Sequence, residues 1–278
     1  MNIVDLNSSD VDHMRLSVVI LTYNEKNETV RCVKSLVPYL DEKIDEIVVF
    51  DNGSVDGTQH EIMQNFSQVR YFRSENNLGV ANGRNTAISM ARGKFIMTLD
   101  NDTIFHGPEP GPIVESYFEQ HKIVGVVGFK LLNADGTVQR SVRRFPPLLQ
   151  PFIARIPLLR IIKFFREIQD KHLMLDIDLD AVNSPLDVDY VIGANQVFLR
   201  DLFIKLGGYD KKMFYGAEDC EFCLRVKQSG LMVHYVQTIH IFHLYKRRSR
   251  YSIALVLRHF YSFYYMYAKH KRFVKLFP

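Results

Sequence analysis

Asp100-Asn101-Asp102 places two carboxylates one residue apart at the end of the apolar run Lys94-Phe95-Ile96-Met97-Thr98-Leu99. On a strand leaving a core, alternate residues share a face, so both acids can converge on one hard cation or on the hydroxyls of a ligand. The same tripeptide also suits a plain turn. Two other apolar runs end in polar side chains, Thr22-Tyr23-Asn24-Glu25 and Asp51-Asn52-Gly53-Ser54. Open α/β sheets bind ligands in the crevice beyond the carboxyl ends of their strands, and these three ends would line such a crevice. There Asp51 is suited to accept from a base N–H or a ribose hydroxyl. Asn52, Gly53, Ser54, Asp56 and Gly57 equally suit a tight turn and helix cap. Farther along, Glu218-Asp219 opens a helical stretch, where acids either favour the first turn or supply a base.

The elements that must position these residues follow from the hydrophobic pattern. Short β-branched runs at 16–21, 46–50, 69–72, 94–99 and 124–129 alternate with helix-like stretches at 28–39, 57–66 and 80–91. That alternation predicts an α/β fold with a mostly parallel sheet flanked by helices. After Pro108 it weakens. Residues 187–199 and 231–242 still read as strands, and 218–229 as a helix ended by Gly230. Residues 157–170 put Leu158, Ile161, Ile162, Phe164, Phe165 and Ile168 on one helical face and Arg160, Lys163, Arg166 and Glu167 on another. Such a helix suits a membrane interface or packing on its own domain.

With 278 residues, 47% of them apolar, the chain can bury a large core. No apolar run reaches the roughly 18 to 20 residues that span a bilayer, and the polar, acidic N-terminal stretch is unlike a secretory signal, so a cytoplasmic location is expected. Three cysteines agree with a reducing compartment. Cys220 and Cys223 form a C-x-x-C without a second pair, which favours packing over zinc. The net charge of +4 is unevenly spread: residues 240–278 hold nine Lys and Arg and no acid, interleaved with Phe260, Tyr261, Phe263, Tyr264, Tyr265 and Tyr267. A membrane surface, a phosphorylated ligand or nucleic acid each fits this tail, as does an ordinary helix with a solvated basic face.

Six blocks then stand in register over about 210 residues: VVILTYNE (18–25), VVFDNGSVDGT (48–58), NNLGVANGRNTAI (76–88), KFIMTLDNDT (94–103), VDYVIGANQVFLR (188–200) and GGYDKKMFYGAEDCEFCLRVKQSG (207–230). In this order they resemble the GT-A glycosyltransferases of family 2, the nucleotide-diphospho-sugar transferase superfamily, in its rhamnosyltransferase-like branch. The resemblance implies a GT-A, Rossmann-like domain over 15–243, with a nucleotide half (15–105) and an acceptor-side half (106–243). A tail precedes it (1–14) and a basic aromatic helical extension follows (244–278). It also implies an inverting transfer of a sugar from a UDP-, dTDP- or GDP-linked donor to a glycan or lipid-linked acceptor in cell-surface polysaccharide synthesis. Thr22, Tyr23, Glu25 and Asp51 would form the nucleoside pocket, with Arg84 a helper near the nucleotide.

Asp100 and Asp102 would be the DXD-type motif, Asp100 toward the ribose and Asp102 toward Mn²⁺ or Mg²⁺. Asp219 would be the base with Glu218 as its alternate, and Phe214 and Tyr215 an acceptor platform. His243 would complete the metal or diphosphate site, although relatives continue with Gly and Ser where this chain has Leu244-Tyr245-Lys246-Arg247-Arg248-Ser249. That basic cluster is an alternative partner for a diphosphate or an anionic lipid. The resemblance gives nucleic acid no role, and it allows peripheral contact with the inner face of an anionic membrane.

Absence of Trp sets the chain apart from processive synthases, which carry a Trp-containing acceptor motif and membrane helices. A sugar-nucleotide-forming nucleotidyltransferase needs a Gly-rich basic loop after the first strand, where this chain has TYNEKNE. No G-x-G-x-x-G follows a strand, which removes dinucleotide dehydrogenases. A non-catalytic nucleotide-sugar binding module is the remaining alternative, set against two intact acid pairs.

Overall fold

The computed structural model describes residues 14–183, 185–244 and 253–271. The strands are β1 (Leu16–Thr22), β2 (Asp45–Asp51), β3 (Val69–Arg73), β4 (Phe95–Asp100), β5 (Thr103–His106), β6 (Val124–Leu132), β7 (Val142–Arg143), β8 (Leu186–Asp187), β9 (Tyr190–Val191), β10 (Asn195–Leu199) and β11 (Met232–His243). The helices are α1 (Lys26–Leu36), α2 (Thr58–Asn65), α3 (Val80–Met90), α4 (Pro110–Gln120), α5 (Gln150–Arg155), α6 (Lys163–His172), α7 (Arg200–Lys205), α8 (Glu218–Gln228) and α9 (Ile253–Lys269).

Among the described residues, nine strands form one sheet in the order β3-β2-β1-β4-β10-β6-β11-β5, with β8 on β11. β3, β2, β1, β4, β6 and β11 run one way, and β10, β5 and β8 oppose them. Alternate residues of the parallel strands feed two cores, as a sheet covered on both faces requires. Val19, Val48, Phe50 and Ile96 pack with α3 on one side. Leu16, Val18, Ile20, Ile47 and Val49 pack with α1 on the other. The C-x-x-C cysteines are buried thiols in the first of these cores, as packing predicts.

Two expectations are corrected. Residues 187–199 are three short pieces rather than one strand. Asp189 accepts the Phe145 N–H, and the chain turns at 192–195, where the Asn195 N–H bonds Ile192. Residues 157–170 do not form one amphipathic helix: a 3₁₀ turn (Pro157–Ile161) is followed by an extended Ile162, and only then does α6 begin. Leu158 and Ile161 are therefore exposed at 71% and 73%, while Ile168 is buried.

Part of the basic extension is integral. Phe263, Met266 and Tyr267 of α9 join the core on the α8 side. Glu221 of α8 accepts Lys269 at 2.8 Å and His270 at 2.9 Å. Burial would raise the Glu221 carboxyl, but His270, Arg225 and Lys269 hold it down to about 2. The cluster at 245–250, with Arg272 and Lys275, lies outside the described residues.

Candidate active site

Register brings the strand ends together. Thr22 is opposite Asp51, and Leu21 is opposite Asp100. After Asp102 the chain reverses into β5, which pairs antiparallel with the end of β11 and sets His243 opposite Thr103. The Leu244 N–H closes the arrangement on the Asp102 carbonyl at 2.9 Å. Asp100, Asp102 and His243 thus offer ligand atoms within 4.8 Å of one another. His243 Nε2 lies 3.2 Å from Asp102 Oδ1, and its Nδ1 is 2.7 Å from Gln139 Oε1. With Nδ1–H donating to Gln139, Nε2 is the nitrogen aimed at the acids, the tautomer and orientation in which an imidazole can bind a cation.

On the other side of Asp100 stands Arg84, buried in α3. It donates to Asp100 Oδ1 at 2.5 Å and to Glu218 Oε1 at 3.2 Å. One guanidinium therefore joins Asp100 to the acid pair of α8. Burial alone would lower its pKa, but the charges of Asp100, Glu218 and Asp219 and the Tyr209 hydroxyl raise it. Asp219 is held by two backbone donors, Gly193 N–H at 2.8 Å and Cys220 N–H at 2.7 Å. Glu218 Oε2 is buried with no hydrogen-bond partner among the described residues. Burial is the main force raising both acids, reinforced for Glu218 by the neighbouring Asp219 charge and opposed by Arg84. Ala217, just before the pair, has φ +69°, a left-handed conformation that costs an alanine energy.

A cavity of about 1060 Å³ is lined by Arg84, Asp100, Glu218, Asp219 and His243, with Gln139, Tyr190 and Gly193. Of the expected nucleoside residues, Thr22 and Asp51 stand side by side at the ends of β1 and β2. Thr22 is buried and shares its hydroxyl with Thr29, and Asn101 Nδ2 donates to it at 3.2 Å. Asn101 therefore ties the 100–102 turn to β1. Tyr23 is 45% exposed, and Glu25 stands at the N-cap of α1. Asp51 is fully buried, accepting Ser54 N–H at 2.7 Å and the Tyr71 hydroxyl. Asn52 is spent on the 77–79 loop, the structural alternative for that turn.

Phe214 and Tyr215 are absent from the cavity lining. The Phe214 ring packs on Gly79 and under Arg258, 3.9 Å from its guanidinium carbon, and its carbonyl accepts the Val80 N–H. These contacts brace the 214–217 loop against α3 and α9.

Gly193 and Gln139 are the functional positions that sequence reading missed. A methyl on Gly193 would come within 2.3 Å of Arg84 Nη1. A glycine inside an apparent strand is the signal for such a close approach. Gly193→Ala should force Arg84 off Asp100 and Glu218, lowering stability by about 1–3 kcal/mol in urea titration. An unchanged midpoint would show that the guanidinium has room to yield.

Comparison with known proteins gives the family and the fold. The chain matches Glycosyl transferase family 2 over residues 17–207, and the N-terminal domain of galactosyltransferase over 173–247. It belongs to glycosyl transferase family 2, and it is a glycosyltransferase with a GT-A fold. It is 26% identical over 246 residues to the N-acetylglucosaminyl-diphospho-decaprenol L-rhamnosyltransferase of Mycobacterium tuberculosis, covering 82% of this chain and 75% of that one. It is likewise 26% identical over 241 residues to an uncharacterized glycosyltransferase, YfnE, of Bacillus subtilis, covering 78% and 62%.

Among solved structures, the mannosyltransferase of Pyrobaculum calidifontis with GDP-Man and Mn²⁺ aligns with TM-score 0.61 at 18% identity, covering 97% of this chain and 67% of that one. S. aureus TarS 1-349 with UDP-GlcNAc aligns with TM-score 0.59 at 16% identity, covering 84% and 59%. The chain thus spans about three fifths of the TarS fragment.

Proposed function

We propose that this chain moves a single sugar from a nucleotide-diphosphate donor to a hydroxyl of a glycan or lipid-linked acceptor, with inversion, in cell-surface polysaccharide synthesis. The observation that carries the reading is one cavity in which Arg84 joins the Asp100 end of the DXD turn to the acid pair of α8. A leaving nucleoside diphosphate needs positive charge at one end of this cavity, and an acceptor hydroxyl needs a base at the other.

Asp102, Asp100 and His243 fit a divalent cation. Two carboxylate oxygens and an imidazole nitrogen pre-set by Gln139 suit Mn²⁺ or Mg²⁺. Asp100 and Asp102 stand together in the turn that ends β4, with His243 at the end of β11 beside them, a compact set of hard oxygens and one nitrogen for a cation. When bound, the ion would offset charge on the leaving diphosphate. Thr22, Tyr23, Glu25 and Asp51 hold the nucleoside, with Asp100 toward the ribose; reaching Asp51 requires the Tyr71 hydroxyl to give way.

Asp219 takes the acceptor proton. Its two backbone donors fix the carboxylate plane and leave lone pairs for the hydroxyl. Glu218 is the second reading for the base, favoured by its unpartnered Oε2. No described helix is long and apolar enough to cross a membrane; the protein acts at the inner face of the cell membrane, where lipid-linked acceptors are presented.

A thermal-shift screen of UDP-, dTDP- and GDP-sugars with and without Mn²⁺ tests the reading. One donor class should raise the melting temperature in a Mn²⁺-dependent way, since ligands that bind only the native state stabilise it. Asp102→Ala should abolish the Mn²⁺-dependent part. A flat response to every donor would sink the proposal.

A further inference from the structure

One wall of the cavity is left unused by the transfer chemistry above. The inward faces of α5 and α6 put polar side chains where helices facing a core carry apolar ones. Gln150 on α5, and Gln169 and His172 three residues apart on α6, are 6%, 8% and 5% exposed, and all three line the cavity. Tyr190 of β9, also buried, lines it beside them, its ring 6.1 Å from that of His172.

Buried polar groups are ordinarily hydrogen-bonded, and these are barely so. The two amides meet each other only at 3.5 Å, from Gln150 Nε2 to Gln169 Oε1. His172 is anchored through Nδ1, which donates to the Arg144 carbonyl at 2.8 Å. No hydrogen bond among the described residues uses Gln150 Oε1, Gln169 Nε2, His172 Nε2 or the Tyr190 hydroxyl. These four atoms keep accessible surface, unlike the enclosed Glu218 Oε2. Their unused hydrogen-bonding capacity therefore opens on the cavity.

The set is neutral and mixed. Burial, and then the Arg143 charge, hold the His172 imidazole down to about 3, so with Nδ1 protonated its Nε2 is an acceptor. Burial likewise keeps the Tyr190 hydroxyl protonated, able to donate and to accept. Gln150 Oε1 accepts, and Gln169 Nε2 donates. Donors and acceptors set side by side, next to the apolar Ile192 and Phe263, suit a polyhydroxyl ring, whose hydroxyls both give and take hydrogen bonds and whose C–H face packs on an apolar wall.

The cluster is also tied to the base. From Tyr190 the chain runs to Gly193, whose N–H holds Asp219 at 2.8 Å. Three residues separate them, at most about 11 Å of extended chain. A ligand with one hydroxyl at Asp219 thus has its ring within reach of the cluster.

We propose that Gln150, Gln169, His172 and Tyr190 form the subsite that reads the acceptor: they bind the hydroxyls of one saccharide unit and leave one hydroxyl aimed at Asp219. This rests on the sugar-transfer reading above and adds to it the residues that select the acceptor sugar.

Methyl glycosides of glucose, galactose, mannose and N-acetylglucosamine, offered to the full chain without donor and followed by saturation-transfer NMR titration, test the subsite. At least one should bind. Gln150→Met, Gln169→Met and Tyr190→Phe should each weaken it about three- to tenfold, the usual effect of losing one neutral hydrogen bond. Stability separates this from a structural role: replacing both partners of a weak buried bond by apolar groups of the same shape is nearly neutral or stabilising, so the double variant Gln150→Met with Gln169→Met should hold or raise the urea midpoint. Should the double variant fail to fold, Tyr190→Phe, which keeps the ring, decides alone. Silence of every glycoside with the wild type, or binding that the substitutions leave intact, overturns the subsite. Loss of the Mn²⁺-dependent donor shift together with glycoside binding gives the pocket to the donor sugar and overturns the acceptor assignment. A wild type that binds a glycoside through these residues but responds to no donor keeps the saccharide site and removes the transfer reading, so the two failures are told apart.

Discussion

Asp219→Asn should cut sugar transfer by about 10²–10⁴-fold, the usual contribution of a positioned general base, while the donor still binds. The amide keeps the size of the carboxylate and can accept from one of the two backbone donors, Gly193 N–H or Cys220 N–H. Its NH₂ then faces the other donor, so a local cost of about 1–3 kcal/mol accompanies the substitution. That cost is read separately by urea titration. Donor affinity distinguishes a lost base from a collapsed site: a Kd within a few fold of the wild type with transfer nearly abolished assigns the proton to Asp219. Glu218→Gln is the control, since its Oε2 is the unpartnered oxygen of the pair. A deeper loss of transfer in Glu218→Gln than in Asp219→Asn moves the base to Glu218.

The pH dependence follows with a definite sign. Burial raises both acids in the folded chain, so the native state holds these protons more tightly than the unfolded chain does. Their contribution to stability is fully present below the ordinary carboxylate range and is lost as pH rises through the raised values. Asp219→Asn should flatten that slope. Transfer runs the opposite way, because the base must be ionised: its acid limb should lie above the range of an ordinary aspartate. A wild-type rate that stays level down to pH 4 contradicts the raised value.

How much of this was legible in the sequence depends on where each contact comes from. β1, β2 and β4 are buried on both faces, so their apolar runs are continuous and their polar ends stand out. Asp100, Asp102 and His243 meet because β5 pairs with β11, a consequence of topology that motif order anticipates. The second half was harder to read, because β8 and β9 are two residues each and are held by long-range bonds such as Asp189 to Phe145 N–H. Gln139 lies 104 residues from the histidine it orients, and nothing local marks it. Residues 157–162 looked helical because apolar spacing alone cannot tell a helix from a 3₁₀ turn followed by extended chain. Nothing local announces that the Phe214 ring packs on Gly79 and under Arg258, or that the Tyr215 carbonyl accepts the Ser262 hydroxyl of α9.

Arg84 is where stability and chemistry meet, and its replacement should have the largest structural effect. Arg84→Met removes the cation that lies between Asp100 and Glu218, both within hydrogen-bonding distance of its guanidinium. Breaking one side of a buried ion pair costs about 3–5 kcal/mol, because the remaining charge keeps its desolvation penalty. For a chain of this size, that corresponds to a fall in melting temperature of about 10 °C. The cost should itself depend on pH. Glu218 already binds its proton tightly, and once protonated it needs no counter-charge, so Arg84→Met should lose less stability at pH 5 than at pH 8. Arg84→Met combined with Glu218→Gln should recover much of the stability at pH 8 without recovering transfer, since the link between the α8 acids and Asp100 stays broken. Equal losses at the two pH values would mean that Arg84 stabilises the fold by packing its stem rather than by neutralising Glu218.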